Sequence, residues 1–347
     1  MSSKKRGILI VNLGSPDSTE TKDVKRYLKE FLMDERVIDV PFLLRKFLIE
    51  GIVLNTRPKK SAAAYKKIWW EEGSPLIVIS QRVLEKLKEK INEPIALGMR
   101  YGNPSIKAAI EALYKQEPQL EEVFLIPLYP HYAMSSFETV VVKAREVVAQ
   151  HFPQLKMEVQ PAFYEEEAYI DSLAASIRSQ LPEAFDQLLF SYHGVPERHI
   201  KKGDSSKSHC LQVEDCCSVH HPCQSMCYRH QVFRTSELVA EKLGLSRDRY
   251  SVSFQSRLGP DPWLQPFTDH MLEEFPSKGV KKLAIVCPAF VSDCLETLEE
   301  IGMEGKEEFL EAGGEEFHMI SCLNEDDSWV NVLAGYIQQS KKQLANV

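Results

Sequence analysis

The sequence predicts an α/β protein of two similar halves, each with a parallel sheet flanked by helices. Short apolar runs alternate with longer helical patterns along the chain, which is typical of parallel strands joined by right-handed crossovers. The runs are continuously apolar, as strands are when helices cover both faces of the sheet. They form two successive sets of four, although no clear sequence repeat relates the sets. We therefore divide the chain into residues 1–160 and 161–347.

The individual elements follow from the same pattern. Strands are expected at 7–14, 95–99, 122–129 and 156–163 in the first half, and at 187–194, 250–254, 281–288 and 316–321 in the second. Helical patterns lie between them at 105–116, 138–152, 235–245 and 295–313.

One segment, residues 27–60, does not fit the alternation. It is rich in apolar residues and ends in the basic run TRPKK. One interpretation is two helices packed into the core. The other is an exposed apolar lip over a cleft, which contacts either a greasy ligand or a membrane surface.

Composition excludes several classes of protein. The net charge of −8 argues against a nucleic-acid partner, which requires a basic face. No run reaches the roughly 18 apolar residues of a spanning helix. The start, MSSKKRGILIVNLG, is interpreted as a first strand rather than a signal peptide. We therefore expect a cytoplasmic protein, with peripheral contact at the inner membrane as an option, and cysteines that act as thiolates rather than disulfides.

Two polar clusters follow apolar strands, where open α/β sheets bind their ligands. His193 directly follows one strand and precedes Gly194; a histidine there is suited to be a base or metal ligand, although a loop histidine with only a structural role gives the same pattern. Glu296, Glu300 and Glu304 recur four residues apart on a predicted helix. Such a stripe is either a solvated face or, opposite an imidazole, a path for a divalent cation.

The chain resembles the ferrochelatases, which insert ferrous iron into a porphyrin to complete heme. The resemblance runs nearly from end to end and rests on seven blocks in the family's order: NLGSPDS (12–18), GSPL (73–76), GMRYGNP (98–104), PLYPHYAMSS (127–136), LLFSYHGVPERH (188–199), FQSRLGPDPWLQP (254–266) and CPAFVSDCLETLEEI (287–301).

The resemblance implies that the two halves are Rossmann-like, with an active cleft between them, and that ferrous iron and protoporphyrin IX are the substrates. His193 and Glu296 are the implied catalytic pair, acting on the metal and the pyrrole protons, and Glu300 and Glu304 extend the iron path. The implied porphyrin contacts are Leu13, Tyr65, Arg100, Tyr101, Ser135 with Ser136, Trp263 and Phe290. Arg57 is a looser candidate for a propionate contact. For Trp263 and Phe290, plain core packing is an equal alternative.

A cysteine-rich insert, residues 205–230, is the strongest metal signal in the chain. It holds five of the eight cysteines and four of the ten histidines. Cys210, Cys223 and Cys227 combine with either Cys216 or Cys217 in spacings that fit a [2Fe-2S] cluster or an all-cysteine zinc site. In the zinc alternative, His220 or His221 can replace one thiolate. Unligated thiols or a disulfide are the remaining alternative. Some microbial ferrochelatases carry an internal cluster in this region, so the resemblance favours [2Fe-2S] on Cys210, Cys217, Cys223 and Cys227.

Such a closed centre leaves no open position for substrate, and metal insertion is not a redox reaction, so we expect a structural or sensing role. The chain departs from animal ferrochelatases in having Cys294 where they carry histidine, two residues before Glu296, and we expect no counterpart of their cysteine-rich C-terminal tail. Two alternatives stay open: a related chelatase acting on coproporphyrin or cobalt, and a non-catalytic iron–sulfur or heme-binding sensor. Sequence leaves the oligomeric state undetermined.

Overall fold

The described part of the chain contains two parallel four-stranded sheets. A computed structural model describes residues 5–259 and 261–345, with side chains described up to residue 341. The first sheet has the strand order β2-β1-β3-β4 and the second the order β6-β5-β7-β8, and every pairing is parallel. The predicted fold class, two Rossmann-like halves, is confirmed.

Eight predicted strands are present, most of them trimmed by one or more residues. They are β1 Arg6–Asn12, β2 Ile95–Met99, β3 Glu122–Pro127, β4 Lys156–Val159, β5 Gln187–His193, β6 Tyr250–Gln255, β7 Lys282–Val286 and β8 Glu316–Ile320. The central strands β1 and β5 are almost wholly buried, because helices cover both faces of each sheet.

Twelve α-helices surround the sheets in the part of the chain that the structure describes. They are α1 Thr21–Leu32, α2 Phe42–Lys46, α3 Leu54–Ile68, α4 Pro75–Lys88, α5 Ile106–Gln116, α6 Thr139–His151, α7 Glu167–Gln180, α8 Glu197–Gly203, α9 Tyr228–Leu243, α10 Thr268–Glu274, α11 Lys306–Glu311 and α12 Asp327–Ala345. Three π-helices, Phe47–Val53, Met134–Glu138 and Glu296–Gly305, and the 3-10 turns Pro222–Met226, Arg247–Arg249 and Phe275–Lys278 complete the described elements.

The chain forms two compact units. Unit 1 comprises the residues up to Tyr129, Met134–Pro161 and the residues from Asn324 onward; unit 2 comprises Pro130–Ala133 and Ala162–Leu323. The sequence pattern groups residues 161–347 together, whereas the contacts return the C-terminal helix α12 to the first sheet. There Trp329 is fully buried and Lys86 of α4 pairs with Asp327 at 2.8 Å.

The segment 27–60 has an inner and an outer side. Leu32, Ile49 and Leu54 are buried together, which agrees with core packing for this side. The outer side exposes five large apolar residues, Phe42, Leu43, Leu44, Phe47 and Ile52, by 47–79%. We call these five side chains the apolar patch. None of the described helices has the length and apolar character that a membrane crossing requires.

Candidate active site and cysteine insert

His193 is the last residue of β5 and is half-buried at the carboxyl edge of the second sheet. Its backbone pairs with Gln255 of β6, and the chain then turns at Gly194, whose N–H donates to the Gln255 carbonyl at 2.6 Å. A Cβ on residue 194 would lie 2.9 Å from that carbonyl oxygen. The turn that presents His193 therefore requires glycine.

The imidazole of His193 has a defined tautomer. Its Nδ1 lies 2.7 Å from the Gly194 carbonyl oxygen. A carbonyl can only accept a hydrogen bond, so Nδ1 is the donor, and in the neutral imidazole the lone pair is on Nε2. The side chain thus offers one basic nitrogen to a ligand.

Three carboxylates lie on the helix that follows β7, and this helix differs from the prediction. The sequence suggests an α-helix through residues 295–313, but Glu296–Gly305 is a π-helix that continues into α11. Two glycines in this stretch weaken its preference for α-helix, and Gly302 lies so close to β8 that a Cβ there would be 2.8 Å from the Met319 sulfur. π-helices are frequent at functional sites.

The three carboxylates differ in solvent exposure. Glu296 and Glu300 are half-buried and Glu304 is exposed. Burial, followed by the charge of Glu296, raises the pKa of Glu300 to about 7, although Ser256 donates a short hydrogen bond to it. The pair can therefore accommodate either a proton or a cation at neutral pH.

Two polar residues at the end of β6 were missed in the sequence. Gln255 is buried; its Oε1 accepts from Ser191 at 2.7 Å, and its Nε2 donates to the Glu296 carbonyl at 3.4 Å. Ser256 adopts a left-handed backbone with φ of 59°, which is uncommon for a non-glycine residue and typical of functional sites. The only signal for them was polar residues directly following an apolar strand, within the FQSRLGP block.

Phe290 and Trp263 both lie next to the His193 turn. The Phe290 ring is edge-on to the His193 imidazole, with 6.3 Å between centroids. Trp263 is half-buried, pairs with Pro196 through a β-bridge and packs under Gly194, 3.4 Å from the position of a Cβ there. Cys294 is also close: burial and then the Glu296 charge raise the pKa of its thiol, which hydrogen bonds to Glu296.

The predicted porphyrin contacts of unit 1 differ in accessibility. Leu13, after β1, and Ser135, in the π-helix Met134–Glu138, are half-buried. Tyr65 on α3 is buried with its ring edge-on to Trp69.

Arg100 and Tyr101 belong to a buried polar network within unit 1. The Arg100 guanidinium is ion-paired with Asp34, and the Tyr101 hydroxyl donates to the same carboxylate at 2.9 Å. Thr139 also donates to Asp34, at 2.5 Å. Tyr101 is fully buried. The Tyr101 hydroxyl therefore fixes the Asp34 carboxylate, which in turn holds the Arg100 guanidinium in place.

In the cysteine insert, four thiols form a chain of contacts. Cys210 Sγ lies 3.3 Å from Cys223 Sγ, and Cys227 is hydrogen bonded to both Cys217 and Cys210. The bond from Cys217 lowers the pKa of Cys227 to about 6, whereas burial raises the pKa of Cys210 and Cys223. Four such thiols cannot all ionise together unless a cation neutralises them.

Cys216 has a different environment from Cys217. The Cys216 sulfur accepts the Leu211 N–H at 3.4 Å and is buried at 5% exposure. Arg229 donates to the Cys217 sulfur at 3.1 Å and is farther from Cys216, at 3.7 Å.

Further polar groups surround the thiols. Asp204 accepts hydrogen bonds from the backbone N–H groups of His209 and Cys210, both at 2.9 Å. These bonds fix the backbone at the start of the insert. Burial acts to raise the Asp204 pKa, but these bonds and those from Ser206 outweigh it and hold the pKa well below its usual range. His221 Nδ1 lies 3.0 Å from Cys223 Sγ. His209, His221 and Cys223 also satisfy the spacing of a metal-binding group.

The fold is chelatase-like: two parallel four-stranded sheets, with a histidine and carboxylates after neighbouring strands of the second sheet. Solved structures with this fold are SirB from Bacillus subtilis with Fe3+ (TM-score 0.57, 12% identity, covering 99% of this chain and 98% of that one) and the sirohydrochlorin chelatase SirB from Bacillus subtilis subspecies spizizenii in complex with cobalt (TM-score 0.55, 11% identity, 97% and 96%).

Sequence comparison identifies the family. A family model described as Ferrochelatase matches residues 5–341. Ferrochelatases of Stutzerimonas stutzeri and Opitutus terrae are 47% and 48% identical to this chain, covering 98% and 96% of it and 99% and 97% of the relatives. The chain belongs to the ferrochelatase family. It is an enzyme, a lyase that inserts iron into a porphyrin to form protoheme.

Proposed function

We propose that His193 and Glu296 carry the insertion of Fe2+ into protoporphyrin IX. The observation that supports this most is the tautomer of His193, because its bond to the Gly194 carbonyl leaves Nε2 as a free base. The π-helix with Glu296 follows β7, which pairs directly with β5. The carboxyl ends of adjacent parallel strands meet at one edge, so base and carboxylates share that edge.

The chemistry requires both kinds of group. Insertion removes two pyrrole N–H protons and places a dication among four nitrogens. In our proposal, His193 Nε2 accepts a pyrrole proton, and Glu296 faces the metal and the porphyrin nitrogens. Glu300 and Glu304 continue the carboxylate row toward solvent, which suits a path that delivers Fe2+ or removes protons.

Aromatic and apolar side chains would hold the flat ring. We propose Phe290 and Trp263 as ring contacts in unit 2, because both adjoin the His193 turn. Leu13, Tyr65 and Ser135 remain proposed contacts in unit 1. Arg100 remains a proposed partner for a propionate, and we assign Tyr101 the supporting role of fixing Asp34 beside it.

Replacing His193 with alanine tests the proposal. We expect Fe2+ insertion into protoporphyrin, measured anaerobically, to fall roughly 100- to 10,000-fold, because a positioned base is lost. His318→Ala, at an exposed histidine of β8, is the matched control and should leave the rate within about twofold. Retention of activity by His193→Ala would overturn the assignment. Running the assay with coproporphyrin as well reports on substrate choice.

We also propose that the insert binds a [2Fe-2S] cluster through Cys210, Cys217, Cys223 and Cys227. Their thiols form a chain of contacts in the order Cys223, Cys210, Cys227 and Cys217, and they fit an all-thiolate donor set. The contacts also favour Cys217 over Cys216 as the second ligand. Cys217 contacts Cys227, whereas the Cys216 sulfur accepts a backbone N–H. Such a cluster would supply a closed cross-link between parts of the insert rather than a substrate position.

The absorption spectrum of the purified protein, with iron, sulfide and zinc assays, tests this centre. We expect visible absorbance with two iron and two sulfide per chain, a content fixed by the cluster type. Cys217→Ser should abolish the absorbance, whereas Cys216→Ser should retain it. Stoichiometric zinc without sulfide would contradict the cluster assignment.

We infer a cytoplasmic enzyme that touches the inner membrane through the apolar patch. All eight cysteines are free, which suits a reducing compartment. The patch exposes five large apolar side chains, and Lys46, Arg57, Lys59 and Lys60 nearby in the chain are exposed cations. Exposed apolar area with basic residues favours anionic lipid surfaces.

Co-sedimentation with vesicles tests the membrane contact. Phosphatidylglycerol-containing vesicles should bind the native chain, and Leu43→Asp with Phe47→Asp should reduce the bound fraction at least threefold, since charge opposes insertion. Val213→Asp, at an exposed apolar residue outside the patch, is the control. Equal binding by both variants would refute the patch as the contact.

A further inference from the structure

Tyr228 connects the cysteine insert with the His193 turn. It is the first residue of α9 and directly follows Cys227. Its hydroxyl donates to the backbone carbonyl of His193 at 2.9 Å, and its side chain is buried. We propose that Tyr228 is a positioning residue that sets the orientation of His193 and transmits the state of the insert to it. This inference rests on the proposed role of His193.

The carbonyl of His193 is a sensitive point in the turn. Pairing of β5 with β6 ends at His193, and the next N–H, that of Gly194, is held by Gln255. The imidazole is in turn oriented by the Gly194 carbonyl. Rotation of the peptide between residues 193 and 194 would therefore move both the histidine backbone and the group that orients its ring. The Tyr228 hydroxyl restrains that peptide from the side opposite Gln255.

The tyrosine itself is held by packing. Its ring is edge-on to the His131 ring at 6.0 Å, and His131 also packs edge-on to Tyr192 at 5.4 Å. The His131 Nε2 lies 2.9 Å from the Thr235 hydroxyl on α9. A carbonyl oxygen can only accept, so the Tyr228 hydroxyl is the donor in its bond to His193. The position of the Tyr228 hydroxyl is therefore determined by the position of the first turn of α9.

The start of α9 depends on the insert. Cys227 precedes Tyr228 and contacts the thiols of Cys217 and Cys210. On the other side, α8 leads from the His193 turn to Asp204, which binds the N–H of Cys210. The insert is thus joined to the turn at both ends, but only Tyr228 places a side-chain hydrogen bond on His193 among the described contacts. Loss of thiolate ligation should relax Cys227 and weaken that bond.

Tyr228→Phe tests the positioning role because it removes only the hydroxyl. We expect kcat for Fe2+ insertion to fall about 3- to 10-fold, the effect of one hydrogen bond, with KM for protoporphyrin nearly unchanged. The iron and sulfide content should stay the same. Tyr192→Phe is the matched control, because this buried tyrosine bonds Ser236 at 2.8 Å instead of His193; its kcat should stay within about twofold.

A double-mutant cycle tests the transmission. Cys223→Ser should lower kcat by a similar factor in the native background and add little in the Tyr228→Phe background, because the same bond is already lost. Amide exchange of the peptide containing Gly194 should speed up in both single variants and not in Tyr192→Phe. If Cys223→Ser is not recovered folded, the comparison of the two tyrosine variants still decides the positioning role.

The outcomes separate the two proposals. Tyr228→Phe behaving like Tyr192→Phe, while His193→Ala is inactive, would overturn the positioning role and leave the proposed function intact. Fully additive effects in the cycle would overturn the transmission. Full activity of His193→Ala would overturn both.

Discussion

The two units share one frame but use it differently. In each, the first strand is second in the sheet order, and a π-helix follows the third strand in the chain. The crossover after β1 carries the apolar patch, whereas the crossover after β5 carries the cysteine insert. In both units, therefore, the unusual crossover segment follows the first strand and the π-helix follows the third. The side chains of these segments determine which of them carry titratable groups.

The ends of the central strands show the contrast most directly. β1 ends at Asn12, whose amide donates to Ser80 at 3.1 Å and accepts from the Leu13 N–H at 2.8 Å. β5 ends at His193, whose Nδ1 is bonded to the carbonyl of the adjacent Gly194. The equivalent position makes structural hydrogen bonds in unit 1, whereas in unit 2 it holds the histidine that we propose as the base.

Glutamates on the two π-helices provide the largest expected difference. Glu296→Gln should reduce insertion roughly 100- to 10,000-fold, because the carboxylate that we propose to face the metal and the pyrrole protons is lost. Glu138→Gln, on the unit 1 π-helix, removes an ion pair with Arg36 and should change insertion by less than about twofold. Steady-state assays of both variants check this. A similar loss in the two would abolish the distinction between the units.

The turn after β5 should tolerate no side chain. Gly194→Ala would bring a Cβ to 2.9 Å from the Gln255 carbonyl, so we expect about 1–3 kcal/mol of destabilisation and reduced insertion. Gly335→Ala in α12 meets no atom within 4 Å and should be neutral or slightly stabilising. Urea unfolding of both proteins gives the comparison. A native midpoint for Gly194→Ala would show that the turn is not tightly packed.

The buried His131 of unit 2 should make the free energy of unfolding depend on pH, which is a smaller effect. Burial lowers its pKa from 6.5 to about 3, and the Tyr192 and Tyr228 rings that face it stay neutral because burial raises their pKa. The folded state therefore resists protonation, and its stability is complete above pH 6.5 and declines as the pH falls. From pH 7.5 to 5.5 the expected loss is about 1.4 kcal/mol.

Urea unfolding at the two pH values, with His131→Gln as comparison, measures that loss. The variant lacks the titrating ring and should show a smaller decline. Identical declines would assign the pH effect to other groups.

Sequence predicted the strands and the strand-end position of His193 because continuous apolar runs and their polar ends are local signals. It also singled out the five clustered cysteines. It did not predict the π-helical form of Glu296–Gly305, which depends on packing against β8, or the return of α12 to the first sheet. Gln255, Ser256 and Tyr228 were missed because their roles come from contacts with residues 35 or more positions away.

We propose that iron insertion and the proposed cluster of the insert depend on different residues of unit 2. The most direct test measures Fe2+ insertion and iron and sulfide content on the same preparations of His193→Ala and Cys223→Ser. We predict that His193→Ala keeps its absorbance and loses insertion, while Cys223→Ser loses its absorbance and keeps insertion within about tenfold of native. Loss of insertion in Cys223→Ser equal to that in His193→Ala, in a protein that remains folded, would contradict the account.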